Sequence, residues 1–282
     1  MNHLVTITKA DGTKEIFEEQ KLADSLRNAG GSKEVIDKII EKIDGEIHDN
    51  MPTSEIYRHA FALLREHSMP VAVKYSLRRA LSELGPDGFP FEKYISRIFE
   101  AWGYETLVDQ TVFGGCVSHE VDVVAWNKNK LIMVEAKFHN EFILKSDLKV
   151  VLYIKARFDD LREVTYGYGG VHRKLDEGWL VTNTKFTDQA IKYGECQKIK
   201  LVGWNYPKKG NLQDIIEELR LHPFTCLTSL SNVHKKMLLT KGVVLCKDLI
   251  DHPNFLKEIG MSTEESQKVY DEAKKVCGTS LL

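Results

Sequence analysis

Long apolar runs are missing from this 282-residue sequence. None approaches the roughly 18 consecutive apolar residues of a membrane-spanning helix, so no membrane is expected among its partners. Cysteine is scarce. Cys116, Cys196, Cys226, Cys246 and Cys277 are scattered, odd in number and free of any Cys-x-x-Cys pair, which argues against a disulfide framework and reads as reduced thiols used mostly for packing. Cys116 and His119 stand in a Cys-x-x-His spacing, but no second pair completes a zinc site. An excess of charge of one sign is also lacking: 39 Lys and Arg oppose 41 Asp and Glu, for a net charge of −2. Any nucleic-acid surface must therefore be local. The opening MNHLVTITKADGTKE has none of the basic, apolar and small-residue zones of a secretory signal, so a cytoplasmic protein is expected. With 43% hydrophobic and 28% charged residues the chain is globular, and its length suits two or three domains.

The first segment begins with TITKADGTKEIF. Asp11-Gly12 signals a two-residue hairpin, because both residues tolerate positive φ. Extending that ladder sets Lys9 against Lys14, an unfavourable like-charge pair that should face solvent or an anion. Helical periodicity follows in Leu22, Ala23 and Leu26; in Val35, Ile36, Ile39, Ile40 and Ile43; and in Ile56, Ala60, Phe61 and Leu64. Pro52 and Thr53 open the third of these helices, and Pro70 forces a break before a fourth that ends near Leu84.

The order KADGTKEIFEEQKLADSL, helix, PTSEIYRHAFALL and VKYSLRRAL resembles the ATP-cone, the nucleotide-sensing module of ribonucleotide reductases and of a family of bacterial repressors. The resemblance implies ATP or dATP as an effector. Lys9 and Lys21 match family positions that contact phosphates, with Lys14 beside them, and Thr53 and Tyr57 fall where the third helix approaches the nucleotide. Tyr75 and Arg79 keep the Tyr-x-x-x-Arg spacing of the last helix. Ala10 replaces the usual basic residue before Asp-Gly, and Tyr57 stands where some members have His. Since no GxxxxGK[ST] loop is present, hydrolysis of the nucleotide is not expected.

Two prolines and two glycines crowd into LGPDGFP, residues 84–90, and signal a boundary. Beyond it FEKYISRIFEAWGYE is an amphipathic helix stopped by Gly103. A helix rich in Leu148, Val151, Leu152 and Ile154, the strand GWLVTNT, the helical TDQAIKYGECQ and the strand IKLVGW then describe an α/β domain. Between Lys137 and Lys174 the basic residues Lys145, Lys149, Lys155, Arg157, Arg162 and Arg173 alternate with acids and read as a solvated helix face. The last 60 residues are helical, with a capping box at Ser262 and Glu265. Their Lys241-Gly242 break is reminiscent of helix-hairpin-helix modules, which hold DNA phosphates; a packing or dimerisation role is the alternative.

The chemistry is concentrated in HEVDVVAWNKNKLIMVEAKF, residues 119–138. If Asn127 to Lys130 form a four-residue hairpin loop, Trp126 faces Leu131, Val124 faces Met133 and Asp122 faces Glu135. Strand alternation then puts Glu135 and Lys137 on one face. Two repelling carboxylates set in apolar strands require a positive charge between them. Mg²⁺ (or Mn²⁺) suits that demand as a hard, oxygen-seeking cation, and the lysine can stabilise developing negative charge or orient a water. Asp followed by Glu-x-Lys on the next strand is similar to the PD-(D/E)xK nucleases, with Val121 in place of the leading proline. The wider order resembles their Mrr-like branch, which implies that Glu92 is a first-helix carboxylate able to support the metal site. His119 is near enough in sequence to touch phosphate or water, but a bystander role is the simpler reading.

The expected fold is α/β: a restriction-endonuclease-like core of a mixed sheet flanked by helices over 86–218, a mainly helical ATP-cone over 1–85 and a small helical domain over 219–282. The expected function is Mg²⁺-dependent hydrolysis of DNA phosphodiesters governed by ATP or dATP. Asp122 and Glu135 would be the metal ligands and Lys137 the charged helper. A nucleotide-responsive, non-cleaving DNA-binding protein of the same fold is the alternative. RNA stays open as the nucleic acid. Cutting two strands calls for two sites, so a homodimer or larger assembly is expected.

Overall fold

A computed structural model describes residues 5–9 and 12–278, and divides them into two compact units with the break between Leu77 and Arg78. In the first unit, β1 (Thr6–Thr8) and β2 (Lys14–Ile16) form an antiparallel pair, followed by α1 (Glu19–Asn28), α2 (Lys33–Glu46), β3 (Met51–Pro52), α3 (Thr53–His67) and the start of α4 (Met69–Ser82). The helices bury the expected apolar stripes: Leu22, Ala23 and Leu26 from α1, Ile36, Ile39 and Ile43 from α2, and Ile56, Ala60 and Leu64 from α3.

The hairpin departs from expectation. Thr8 lies opposite Lys14, and the Lys9 N–H donates to the Thr13 carbonyl. One more residue than expected separates the paired positions, and Gly12 closes the loop at φ +81°. This is the three-residue hairpin geometry in which a left-handed glycine ends the turn. Lys9 therefore does not face Lys14. Asp11, on which the two-residue reading rested, lies outside the described residues. A second departure is β3, which pairs in parallel with β1 and sets Thr8 opposite Pro52. Lys9 and Thr53 are the residues that follow those partners.

The second unit opens with the last turn of α4. Arg78 donates to the Phe142 carbonyl, Thr225 to the Ala80 carbonyl, and Lys235 pairs with Glu83 at 2.8 Å. These contacts explain why the compact division precedes LGPDGFP.

The elements that follow are α5 (Phe89–Ala101), β4 (Glu105–Phe113), β5 (Ser118–Trp126), β6 (Leu131–Lys137), β7 (Lys145–Ser146), α6 (Leu148–Arg162), β8 (Tyr166–Tyr168), β9 (Val171–Arg173), β10 (Glu177–Thr182), β11 (Lys185–Phe186), α7 (Asp188–Cys196), β12 (Lys200–Val202) and α8 (Leu212–Leu219). Five strands make a mixed sheet in the order β12-β10-β6-β5-β4. The pairs β12/β10 and β10/β6 are parallel, whereas β6/β5 and β5/β4 are antiparallel.

One sheet face packs against α6 and α7. Its buried layer includes Val124, Met133, Leu180, Val151, Ile154 and Phe158. The α6 helix comes close because Gly178 has no side chain: a Cβ there would lie 2.3 Å from the Phe158 ring. Towards the other face, Ile95, Ile98 and Phe99 of α5 line an apolar cleft with Val181 and Val202 of the sheet and Ile215 of α8. Gly103, at φ +82°, stops α5 as expected.

After α8 come a 3₁₀ turn at Phe224–Cys226, α9 (Asn232–Thr240), α10 (Cys246–Asp251), α11 (Asn254–Glu258) and α12 (Thr263–Val276). Ser262 and Glu265 form the expected capping box, and Gly242, at φ +74°, follows α9. Buried Tyr94 of α5 donates to the Leu221 carbonyl at 2.7 Å, and Arg97 pairs with Asp248 of α10 at 2.9 Å. No helix among the described residues is long and apolar enough to cross a membrane.

Candidate active site

The β5–β6 register matches the pairing read from the sequence. Trp126 faces Leu131, Val124 faces Met133 and Val123 faces Val134. The ladder stops there, and the Asp122 carboxylate takes the place of the next backbone bond by accepting the Ala136 N–H at 2.6 Å. On its other side β5 also parts from β4. Val108 pairs with Val123 and Gln110 with Val121, leaving Asp109 unpaired at φ +52°. Positive φ is uncommon in a residue other than glycine, though aspartate tolerates it better than most. The distortion lets Val121 and Val124 enter the same apolar layer, although strict alternation would separate them. Asp122 therefore sits where its strand loosens from both neighbours.

Glu135 and Lys137 share a face of β6, with Lys137 exposed at the strand's end. In the parallel neighbour β10, Leu180 lies beside Glu135 and Thr182 beside Lys137. The chain leaving Lys137 is clamped by buried Asn183. Its side chain accepts the His139 N–H and donates to the His139 carbonyl, both at 2.8 Å. Here is a structural use for the VTNT segment.

The carboxyl groups sense one another. Burial, reinforced by the charge of Asp122, pushes Glu135 up to about 7 against the opposing pull of Arg157 and Lys137. Asp122 is also raised, by burial, and the hydrogen bond from Ala136 opposes the shift. Glu92, in the first turn of α5, is pushed up to about 7 by burial, then by the charges of Asp122, Asp109, Glu120 and Glu135. The structure thus brings Glu92 within electrostatic range of the Asp122–Glu135 pair. Among the described residues, however, no group of three or more His, Cys, Asp or Glu side chains converges as a metal cage. Two partly buried carboxylates on adjacent strands still fit a hard divalent cation that completes its shell with water and substrate oxygen.

Sequence reasoning missed Arg157, which it treated as part of a solvated helix face. Arg157 reaches from α6 to form an ion pair with Glu135, donates to the Glu120 carbonyl at 2.9 Å and to the Tyr153 hydroxyl at 2.8 Å. Asp109 and Glu120 were missed as well. His119 is engaged elsewhere, 2.7 Å from Asp160 of α6, which also accepts the Cys116 N–H. The hydrogen bond from His119 is the leading cause that holds the Asp160 carboxyl down at about 2.

Of the residues assigned to the nucleotide, Lys9 and Lys21 are gathered around Glu15, at 2.6 and 3.6 Å, and Lys21 also meets Glu18 at 2.9 Å. Lys14 is exposed on β2 and, by strand alternation, belongs to the face opposite Glu15. The structure does not group it with Lys9 and Lys21. Thr53 begins α3. Tyr57, one turn further, stacks on Tyr75 with centroids 5.0 Å apart. Arg79 pairs with Glu83 at 3.2 Å in the second unit.

A mixed five-stranded sheet with helices on both faces, carrying Asp and Glu-x-Lys on adjacent antiparallel strands, defines the restriction-endonuclease-like class. Comparisons with known proteins agree. A restriction endonuclease family model matches residues 85–205, an ATP cone domain model residues 5–84, and a model described as AF1548-like, C-terminal, residues 222–277. An uncharacterized protein of Archaeoglobus fulgidus is 37% identical over 185 residues, which span 65% of this chain and all of that protein. The crystal structure of AF1548, a protein of unknown function, matches at 35% identity with a TM-score of 0.56, covering 69% of this chain and all of that one. The chain belongs to the AF1548-like family, with a restriction-endonuclease-like domain preceded by an ATP cone. The MspJI restriction endonuclease in complex with a 27-mer oligonucleotide matches at 15% identity and a TM-score of 0.37, over 61% of this chain and 36% of that one, too low to bear on function.

Proposed function

We propose that the protein is a divalent-metal-dependent endonuclease that hydrolyses DNA phosphodiester bonds, with ATP or dATP bound at the ATP cone as its effector. The observation that carries the reading is the partly buried pair Asp122–Glu135 with Lys137 on the same sheet face as Glu135. A salt-bridged structural hairpin has no use for a partly buried carboxylate whose neighbour's charge raises its proton affinity further, as that of Asp122 does for Glu135.

Asp122 and Glu135 would hold Mg²⁺ or Mn²⁺. The ion, when bound, supplies Lewis-acid stabilisation of charge on the phosphoryl oxygens. Asp122 is oriented by the Ala136 N–H, which fixes one oxygen and leaves the other to the ligand. Exposed Lys137 faces the negative charge that develops on the phosphate, and orients the attacking water. Glu92 adds negative potential from α5 and supports the site through water. At the cone, the ammonium groups of Lys9 and Lys21 meet nucleotide phosphates next to the start of α3, where Thr53 and Tyr57 approach the nucleoside. A dimer or larger assembly supplies the second site needed for a double-strand cut.

Asp122→Ala and Lys137→Ala should each lower cleavage of supercoiled plasmid by about a thousandfold, the equivalent of roughly 4 kcal/mol of transition-state stabilisation. Circular dichroism should be unchanged. Wild-type cleavage by either variant would remove the proposed site.

A further inference from the structure

Arg157 is largely buried, and its reach across to the acidic pair has no part in the reaction proposed above. The side chains of Arg157 and Glu135 are only 11% and 17% exposed. Besides Glu135, the guanidinium donates to the Glu120 carbonyl through Nη1 and to the Tyr153 hydroxyl through Nη2, and lies 4.9 Å from the Tyr153 ring centroid. Its Nε is buried with no hydrogen-bond partner among the described residues. A guanidinium left incompletely satisfied is costly, and the Glu135 oxygen that carries Arg157 is occupied by a fixed cation that an incoming metal must compete with.

We propose that Arg157 is a resident counter-ion that competes with the divalent metal for Glu135. Its guanidinium compensates the acidic pair before the metal arrives and must yield for the metal to bind. The bonds to Tyr153 and to the Glu120 carbonyl do not involve Glu135, so the displaced guanidinium remains beside the site. Arg157 is thus a positioning residue that acts through Glu135 and sets the metal concentration at which the site fills. The inference rests on the reading of Asp122 and Glu135 as metal ligands.

The test is a Mn²⁺ titration of the full chain without nucleotide or DNA, read from the electron paramagnetic resonance signal of free Mn²⁺, with Glu135→Gln defining the binding that belongs to this site. Arg157→Gln should bind Mn²⁺ about tenfold more tightly than wild type, the equivalent of about 1.4 kcal/mol and the size of one charge-assisted hydrogen bond. Arg157→Lys, which keeps the charge, should stay within about threefold of wild type. Unchanged or weaker binding in a folded Arg157→Gln variant overturns the proposal, because a residue that merely supported Glu135 would give that result. Equal tightening in Arg157→Lys also overturns it. Should the Gln variant not fold, Arg157→Met carries the same expectation. If wild type shows no Mn²⁺ binding dependent on Glu135, the metal-site reading itself fails, an outcome distinct from failure of the competition alone.

Discussion

In the N-terminal unit the candidate ligand-binding charges lie at the surface, where Lys9 and Lys21 share Glu15 and water screens every member of the cluster. In the nuclease-like unit Asp122 and Glu135 are set among buried strand residues, and Arg157 balances them from a neighbouring helix. Each centre carries its own counter-ions, the carboxylates of Glu15 and Glu18 against two ammoniums in one and a guanidinium against two carboxylates in the other. Depth makes the difference. Surface ion pairs contribute little and are easily exchanged, whereas a charge withdrawn from water must be compensated and its partner is displaced only by a strong competitor. That contrast accords with the functions proposed above, reversible sensing of an anion at the cone and binding of a divalent cation at the sheet site.

The comparison can be broken first at the cone. Lys9→Ala combined with Lys21→Ala should weaken ATP binding about tenfold or more by calorimetry, while metal-dependent chemistry is preserved. Unchanged affinity would remove the cone assignment. A smaller effect concerns the depth of the acidic site. Burial and neighbouring charges hold Glu92 and Glu135 near 7 in the folded protein, against an ordinary value of 4.5. Between those values the folded state binds more protons than the unfolded one, so stability in EDTA should fall as pH rises from about 4.5 to 7. The loss should be of order 1 kcal/mol per carboxyl once solvent screening is allowed for. Urea unfolding across that range checks it, and Glu92→Gln should flatten the slope; an equal slope in that variant would mean that Glu92 does not share the acidic environment. The smallest effect is expected at Glu15. Glu15→Gln frees Lys9 from its carboxylate and leaves Lys21 paired with Glu18 alone, and should tighten ATP binding by about threefold at low ionic strength, with the gain lost in high salt.

The acidic pair was legible because hairpin register follows from loop length and alternation, and the polar Asn127–Lys130 loop leaves one register that keeps the apolar residues inside. The same logic failed at the N-terminal hairpin. Asp-Gly supports loops of two or three residues, and strands of three residues carry too little pattern to choose between them. Strand β4 went unread because its polar and apolar residues belong to a sheet edge, and Asp109 interrupts its pairing. The small β3 was hidden by Pro52, which reads as a helix start. Arg157 could not be found from sequence at all. Its role depends on the approach of α6 to the sheet, which Gly178 permits beneath Phe158, and nothing in local periodicity reports a contact between residues so far apart in the chain. The VTNT segment was noticed as a pattern, but only the clamp of Asn183 on His139 shows what it does.

The central claim is that Asp122 and Glu135 form a metal-dependent hydrolytic centre. Its most direct test incubates wild type and Glu135→Ala with supercoiled plasmid in Mg²⁺ or Mn²⁺ against EDTA, each with and without ATP and dATP. The account requires nicking by wild type that depends on metal, disappears in Glu135→Ala and changes in rate with nucleotide. A gel shift that responds to nucleotide and needs no metal, with no cleavage under any condition, would contradict it and identify a non-cleaving DNA-binding protein on a nuclease-like fold.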